Sequence, residues 1–359
     1  MNVIRKLYQQ LQKQLNLIDF NNIWKGFHVF DFALYNDNEV FLKDEVIQKD
    51  ERFYGNTAIK YQNTFLAIWY INPKDIEKYE KDSTVLLSKI VHEMFHAYQF
   101  EQGEQRWPHE VKSLLTYQYD AVNLSIKKQE NEMLFTCLDQ FDMELFKDFL
   151  RTRKSRQQQF PSQFDYEAKT EVIEGFATYV ELMALKMLDQ TKYLKTLSVL
   201  KDKILNEENY FPIRLICYDI GGLIAILCKE NEMDWHHDLS STTLTLSEIL
   251  FNRYLILSES KTLNVDSDIE KMVIQFENEN KILIEETLKK CNAKHEGKYK
   301  LLGVDPYNAR AYKYYIYCPG FFALINPEGK QEFIFNTGVV EIDDDLTVIS
   351  CQYITTKGV

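Results

Sequence analysis

The chain has 359 residues, 45% hydrophobic and 27% charged, which suits a globular protein large enough for two or three cores. Its 42 basic against 54 acidic side chains leave a net charge of −12, which repels phosphate backbones and anionic lipid. Nucleic-acid and membrane partners are therefore not expected, and with 12 glycines and 7 prolines neither are long disordered linkers.

The opening segment, MNVIRKLYQQLQKQLNLIDF, is amphipathic and polar; it has no apolar core or small-residue cleavage site of a secretory leader. No later run approaches the roughly 18 apolar residues of a membrane span. Cys137, Cys217, Cys228, Cys291, Cys318 and Cys351 are scattered, with no CxxC pair, and read as reduced core residues. The expected address is cytoplasmic.

Residues 1–24 read as helical. Residues 27–72 alternate as strands: Phe27–Tyr35, a turn at Asn36-Asp37-Asn38, Val40–Val46, Thr57–Tyr61 and Phe65–Ile71, which predicts an antiparallel sheet. From about 75 to 260 the period becomes helical. One helix should run from Asp82 or Ser83 to near Gly103, with others at roughly 109–128, 130–155, 165–190 and 212–230, the last opened by Pro212. The stretch 156–164, RQQQFPSQF, is the clearest break. Arg151, Arg153, Lys154 and Arg156 read as a solvated helix face. A last helix at 268–291 precedes strands at Tyr299–Val304, Ala311–Cys318, Phe321–Asn326, Glu332–Asn336 and Leu346–Ile354. Turns at Asn326-Pro327-Glu328-Gly329 and Asn336-Thr337-Gly338 punctuate them. The expected class is α+β, with a small α+β domain at 266–359.

Residues 92–96 spell HEMFH. On a helix, positions four apart overlie at about 6 Å, so His92 and His96 can grip one zinc ion while Glu93 takes a proton from water. His92, His96 and Gln99 project to one side of the helix; Leu86, Leu87, Ile90 and Met94 project to the other. A catalytic zinc needs a third protein ligand. In TEVIEGFATYVE, Glu171, Glu174, Thr178 and Glu181 share one stripe, opposite Val172, Ile173, Phe176, Val180 and Met183. The stripe is either a solvated acidic face or the source of that ligand. Glu171 competes with Glu174 for the role; Gly175 and Ala177, which would let two helices approach, favour Glu174.

EGFATYVE together with HEMFH resembles the zinc-ligand segments of the gluzincin metallopeptidases, in particular the leukotriene-hydrolase and aminopeptidase branch. The resemblance covers about 20 residues. It implies one zinc ion held by His92, His96 and Glu174, with Glu93 as base and Glu181 steadying a ligating histidine. It also implies a catalytic tyrosine on a later helix, for which Tyr218 in FPIRLICYDIGG is the candidate, a packed core tyrosine being the other reading. Gly221-Gly222 would permit close packing there, and Arg214, one turn earlier, could bind a substrate carboxylate. The chain departs from the family in the 77 residues (97–173) between His96 and Glu174, and in lacking a GxMEN motif. Tyr54-Gly55-Asn56-Thr57-Ala58 stands in that motif's place without a carboxylate, so the zinc site carries over and aminopeptidase specificity does not. His109 and the pair His236-His237 read as surface residues, His109 as the one nearest a groove.

These readings predict a gluzincin-like domain over 1–265: a sheet at about 27–72, the zinc helix at about 83–102, and a helical half at about 109–260 with an inserted layer at 97–170. The expected reaction is hydrolysis of a peptide or small amide. A zinc-bearing binding or regulatory protein, and a zinc hydrolase of a non-peptide substrate, are the alternatives.

Overall fold

The computed structural model describes residues 3–233, 235–257 and 265–355. The fold is α+β, and the chain divides into two compact units built from separated segments. Residues 1–107, 169–204 and 217–250 form the first, and 108–168, 205–216 and 251–359 the second. The division therefore differs from a single cut at 265. Helical periodicity marks a buried face but does not say which core receives it.

In the first unit, helix Val3–Gln14 buries Ile4, Leu7, Tyr8 and Leu11, one stripe at helical spacing. Five strands follow: β1 (Phe32–Tyr35), β2 (Glu39–Phe41), β3 (Val46–Gln48), β4 (Thr57–Tyr61) and β5 (Thr64–Tyr70), in the order β3-β2-β1-β5-β4. The Asn36 side chain accepts from the backbone N–H groups of Asn38 and Glu39 and so makes the β1–β2 turn. The sheet is not wholly antiparallel as expected: β1 and β5 pair parallel, with Phe32 opposite Ala67 and Leu34 opposite Trp69. A parallel neighbour is reached through an excursion of chain, which strand alternation does not reveal.

Helix Thr84–Glu101 packs on β4, β5 and helix Phe176–Leu188. The Asp82 carboxylate accepts from the Thr84 N–H at its start, and Gly103, at φ +68°, ends it. Both of its faces are buried, the histidine side included. Trp24 fastens the elements together, with ring centroids 4.8 Å from Phe95, 5.1 Å from Phe176 and 5.4 Å from Trp235.

The second unit contains helices Glu110–Thr116, Ala121–Asp139, Met143–Gln159 and Ser267–Lys290, and the strands β6 (Ala293–Lys294), β7 (Lys300–Val304), β8 (Arg310–Tyr312), β9 (Tyr315–Cys318), β10 (Phe322–Ile325), β11 (Gln331–Ile334), β12 (Gly338–Ile342) and β13 (Val348–Tyr353). They form sheets β11-β10-β7 and β6-β13-β12-β9-β8, antiparallel throughout. Val111 joins Ile316, Phe322, Val340 and Cys351 in the core. The break expected at 156–164 shrinks to Phe160, between helices ending at Gln159 and starting at Pro161.

The basic cluster at 151–156 is not a solvated face: Arg153 and Arg156 are fully buried. Arg156 meets Glu130 at 2.7 Å and Glu167 at 2.8 Å, and Lys127 meets Glu167 at 2.7 Å. Cations enter a core only with partners of this kind. All six cysteines are free thiols, five of them buried. No helix among the described residues is long and apolar enough to cross a membrane.

Candidate metal centre

The site lies within the first unit, where helix Thr84–Glu101 meets the segment Glu171–Leu188. His92 and His96 stand one turn apart, ring centroids 4.9 Å from each other. The Glu174 carboxylate lies 3.7 Å from His92 Nε2 and 3.2 Å from His96 Nε2. The three side chains offer ligand atoms all within 4.8 Å of one another.

Each imidazole has a second neighbour. His96 Nδ1–H donates to Gln99 Oε1 at 2.7 Å, and Gln99 Nε2–H donates to the Ile173 carbonyl at 2.9 Å. That chain puts a proton of His96 on Nδ1 and turns Nε2 toward Glu174 and the centre. Glu181 lies 3.2 Å from His92 Nδ1, at ion-pair distance but off the line of a hydrogen bond.

Residues 171–175 form a π-helical turn, a local widening that recurs at functional sites. It turns the chain less per residue than an α-helix, so side chains three apart no longer overlie. Glu174 thus reaches the histidines, while Glu171, although buried, is not in the ligand cluster. Glu171 instead offers its backbone to helix Arg214–Glu230. A Cβ on Gly221 would stand 2.4 Å from the Glu171 carbonyl oxygen, and one on Gly175 would stand 2.6 Å from Gly221 Cα. Only glycines allow this approach. It sets the Tyr218 ring nearly parallel to His92, at 12° and 6.4 Å between centroids.

The electrostatics are one-sided. Glu93 and Glu174, both buried, and the half-buried Glu181 crowd two imidazoles. Burial pushes Glu93 up from its usual value, while His92 and His96 pull it down. His92 is the reverse case. Burial works to lower it, but Glu174 and Glu181, with Glu93 behind them, raise it from 6.5 to about 10.

The remaining candidates separate. Arg214 belongs to the second unit, where Glu110 pairs with it. His109 is exposed, as expected. His236 is not a surface residue: it is half-buried, stacked on Trp235 at 4.1 Å and edge-on to Trp24 at 4.4 Å. The side chain of His237 lies outside the described residues. Gln99 carried the one unused signal, its place on the histidine side of the helix. The pairing of Asp219 with Lys203, beside Tyr218, had none.

Comparison of the chain with models of known families, with curated proteins and with solved structures finds no match.

Two outcomes follow from this geometry. Gly221→Ala should lower stability by about 1–3 kcal/mol, the usual penalty of forcing atoms into a packed contact. Gly320→Ala, with no atom within 4 Å of the new Cβ, should leave the urea midpoint unchanged or slightly raised. Equal midpoints for the two variants would contradict the close approach. In chelator-treated protein, His92 should remain an imidazolium up to about pH 10, read from its ring resonances by NMR. Because the folded value lies above the unfolded 6.5, the stability that His92 contributes is complete below 6.5 and lost as pH rises through about 10. A neutral ring at pH 8 would contradict the coupling to Glu174 and Glu181.

Proposed function

We propose that this chain is a zinc-dependent hydrolase of peptide or small amide bonds, related in its site to the gluzincin metallopeptidases. The observation that carries the reading is the convergence of His92, His96 and Glu174 within 4.8 Å, with Glu93 buried beside them. Two imidazoles and one carboxylate are a donor set that zinc favours, with room for a fourth ligand in catalytic sites. Bound there, zinc supplies a Lewis acid that brings the pKa of water to about 7 and polarises a carbonyl.

The chain's own residues do the rest. Gln99 fixes the His96 tautomer and Glu181 faces His92, the outer contacts that hold ligating histidines in place. Glu93, raised by burial, is suited to take a proton from the attacking water and hand it to the leaving amine. The phenol of Tyr218, beside His92, would donate to the oxygen that gains charge. At neutral pH, zinc uptake must first displace the His92 proton, so apparent affinity should rise with pH.

Protein purified without chelator should carry about one zinc per chain by elemental analysis, and Glu174→Ala should lose most of it. Glu93→Gln should keep the zinc and lose about 10²–10⁴-fold in the hydrolysis of a peptide library. Failure to take up added zinc would sink the metal centre. Full zinc with unaltered turnover in Glu93→Gln would remove Glu93 as the base. Full zinc with no turnover of any peptide would favour a non-catalytic or non-peptide role.

A further inference from the structure

We propose that a cavity of about 300 Å³ within the second unit binds a small aromatic anion, with its ring and its acid group seated together. That volume is at the lower end of the range for small-molecule sites. The inference is independent of the metal centre and does not rest on its chemistry.

One wall is aromatic. Tyr119 and Phe276 meet with ring centroids 4.8 Å apart, and Tyr166 lines the cavity as well. Such faces accept a planar ring by stacking or edge contact. The Tyr119 hydroxyl accepts from the Ile213 N–H at 3.2 Å, which fixes the ring at the cavity's edge.

The charged lining is basic in a chain of net charge −12: Arg214, Arg310 and Lys313, against the single exposed carboxylate of Glu277. Arg214 pairs with Glu110, whose other oxygen takes the Tyr166 hydroxyl at 3.0 Å, so that guanidinium is held in place. Arg310 is steadied differently. Its Nη1 donates to the Ala309 carbonyl at 2.9 Å, and its guanidinium lies over the Phe276 ring at 5.9 Å. Lys313, at the turn between β8 and β9, lies over Tyr312 at 5.4 Å. Neither Arg310 nor Lys313 makes an ion pair with any carboxylate among the described residues.

Tyr117, a further lining residue, donates its hydroxyl to Glu167 at 2.7 Å, and behind it lies the buried ion network. There Lys127 and Arg156 meet Glu167, and Arg153 and Arg156 meet Glu130. An acid group in the cavity would have guanidinium and ammonium groups among its lining, and charge-assisted hydrogen bonds to such groups are strong.

The test is isothermal titration of the whole chain at low salt with phenyl phosphate, phenylacetate, inorganic phosphate and phenol. Saturable one-to-one binding is expected for at least one of the first two, which together distinguish a phosphate ester from a carboxylate. It should be at least about tenfold tighter than for either phosphate or phenol alone, because each of those meets only half of the site. Arg310→Gln combined with Lys313→Gln should weaken it by at least about tenfold, since both line the cavity and neither is buried in the core. Ser113→Phe, which puts a ring into the cavity, should abolish it. No saturable binding of either aromatic acid, inorganic phosphate binding as tightly as phenyl phosphate, or unchanged affinity in the double variant would each overturn the proposal.

Discussion

Carboxylates removed from water must be compensated by protons, partners or a cation, at stakes on the order of several kcal/mol per group. At the meeting of helix Thr84–Glu101 with the Glu171–Leu188 segment, the buried Glu93 and Glu174 and the half-buried Glu181 gather about His92 and His96. Without metal, the cluster answers by drawing a proton onto His92 and by raising Glu93. With a divalent cation, the same donors would be satisfied with both histidines neutral. Much else in the first unit follows from holding this charge-rich cluster inside an apolar core.

Two devices hold it. The Trp24 ring contacts Phe95, Phe176 and Trp235, so the helix bearing the histidines and the segment bearing the acids share one aromatic anchor. On the other side, Gly175 and Gly221 let helix Arg214–Glu230 approach until backbone touches backbone, which brings Tyr218 to the His92 ring. The π turn between these contacts aims Glu174 and diverts Glu171. Polar groups are thus positioned by apolar packing and by missing side chains, and a loss in either displaces the donors.

Much of this could be read from the chain, because it rests on local periodicity. HEMFH has the spacing of one helical turn, and the stop at Gly103 and the β4–β5 hairpin come from short-range rules. Features that depend on distant partners could not be read. Helix Gln190–Leu205 was not anticipated; only Tyr193 and Ile204 of its residues are buried, so its position depends little on a core that the sequence marks. The π turn has no sequence signature. The burial of Arg153 and Arg156 depends on Glu130 and Glu167, which sequence spacing does not pair with them. Strand β12 was hidden because Asn336-Thr337-Gly338 reads as a turn. Gly338 is in fact a strand residue, where a Cβ would stand 2.7 Å from the Gln352 carbonyl oxygen. Of the site itself, the ligand set and the base came from motif spacing and resemblance, whereas Gln99's grip on His96 required the structure.

Zinc K-edge X-ray absorption of the zinc-loaded protein tests the ligand set most directly, because it reports donor type and distance without assuming an activity. The account predicts two imidazole nitrogens with oxygen donors at about 2.0–2.2 Å and no sulfur. A zinc–sulfur shell at about 2.3 Å would contradict it, since it would place the metal on the cysteines and away from His92, His96 and Glu174.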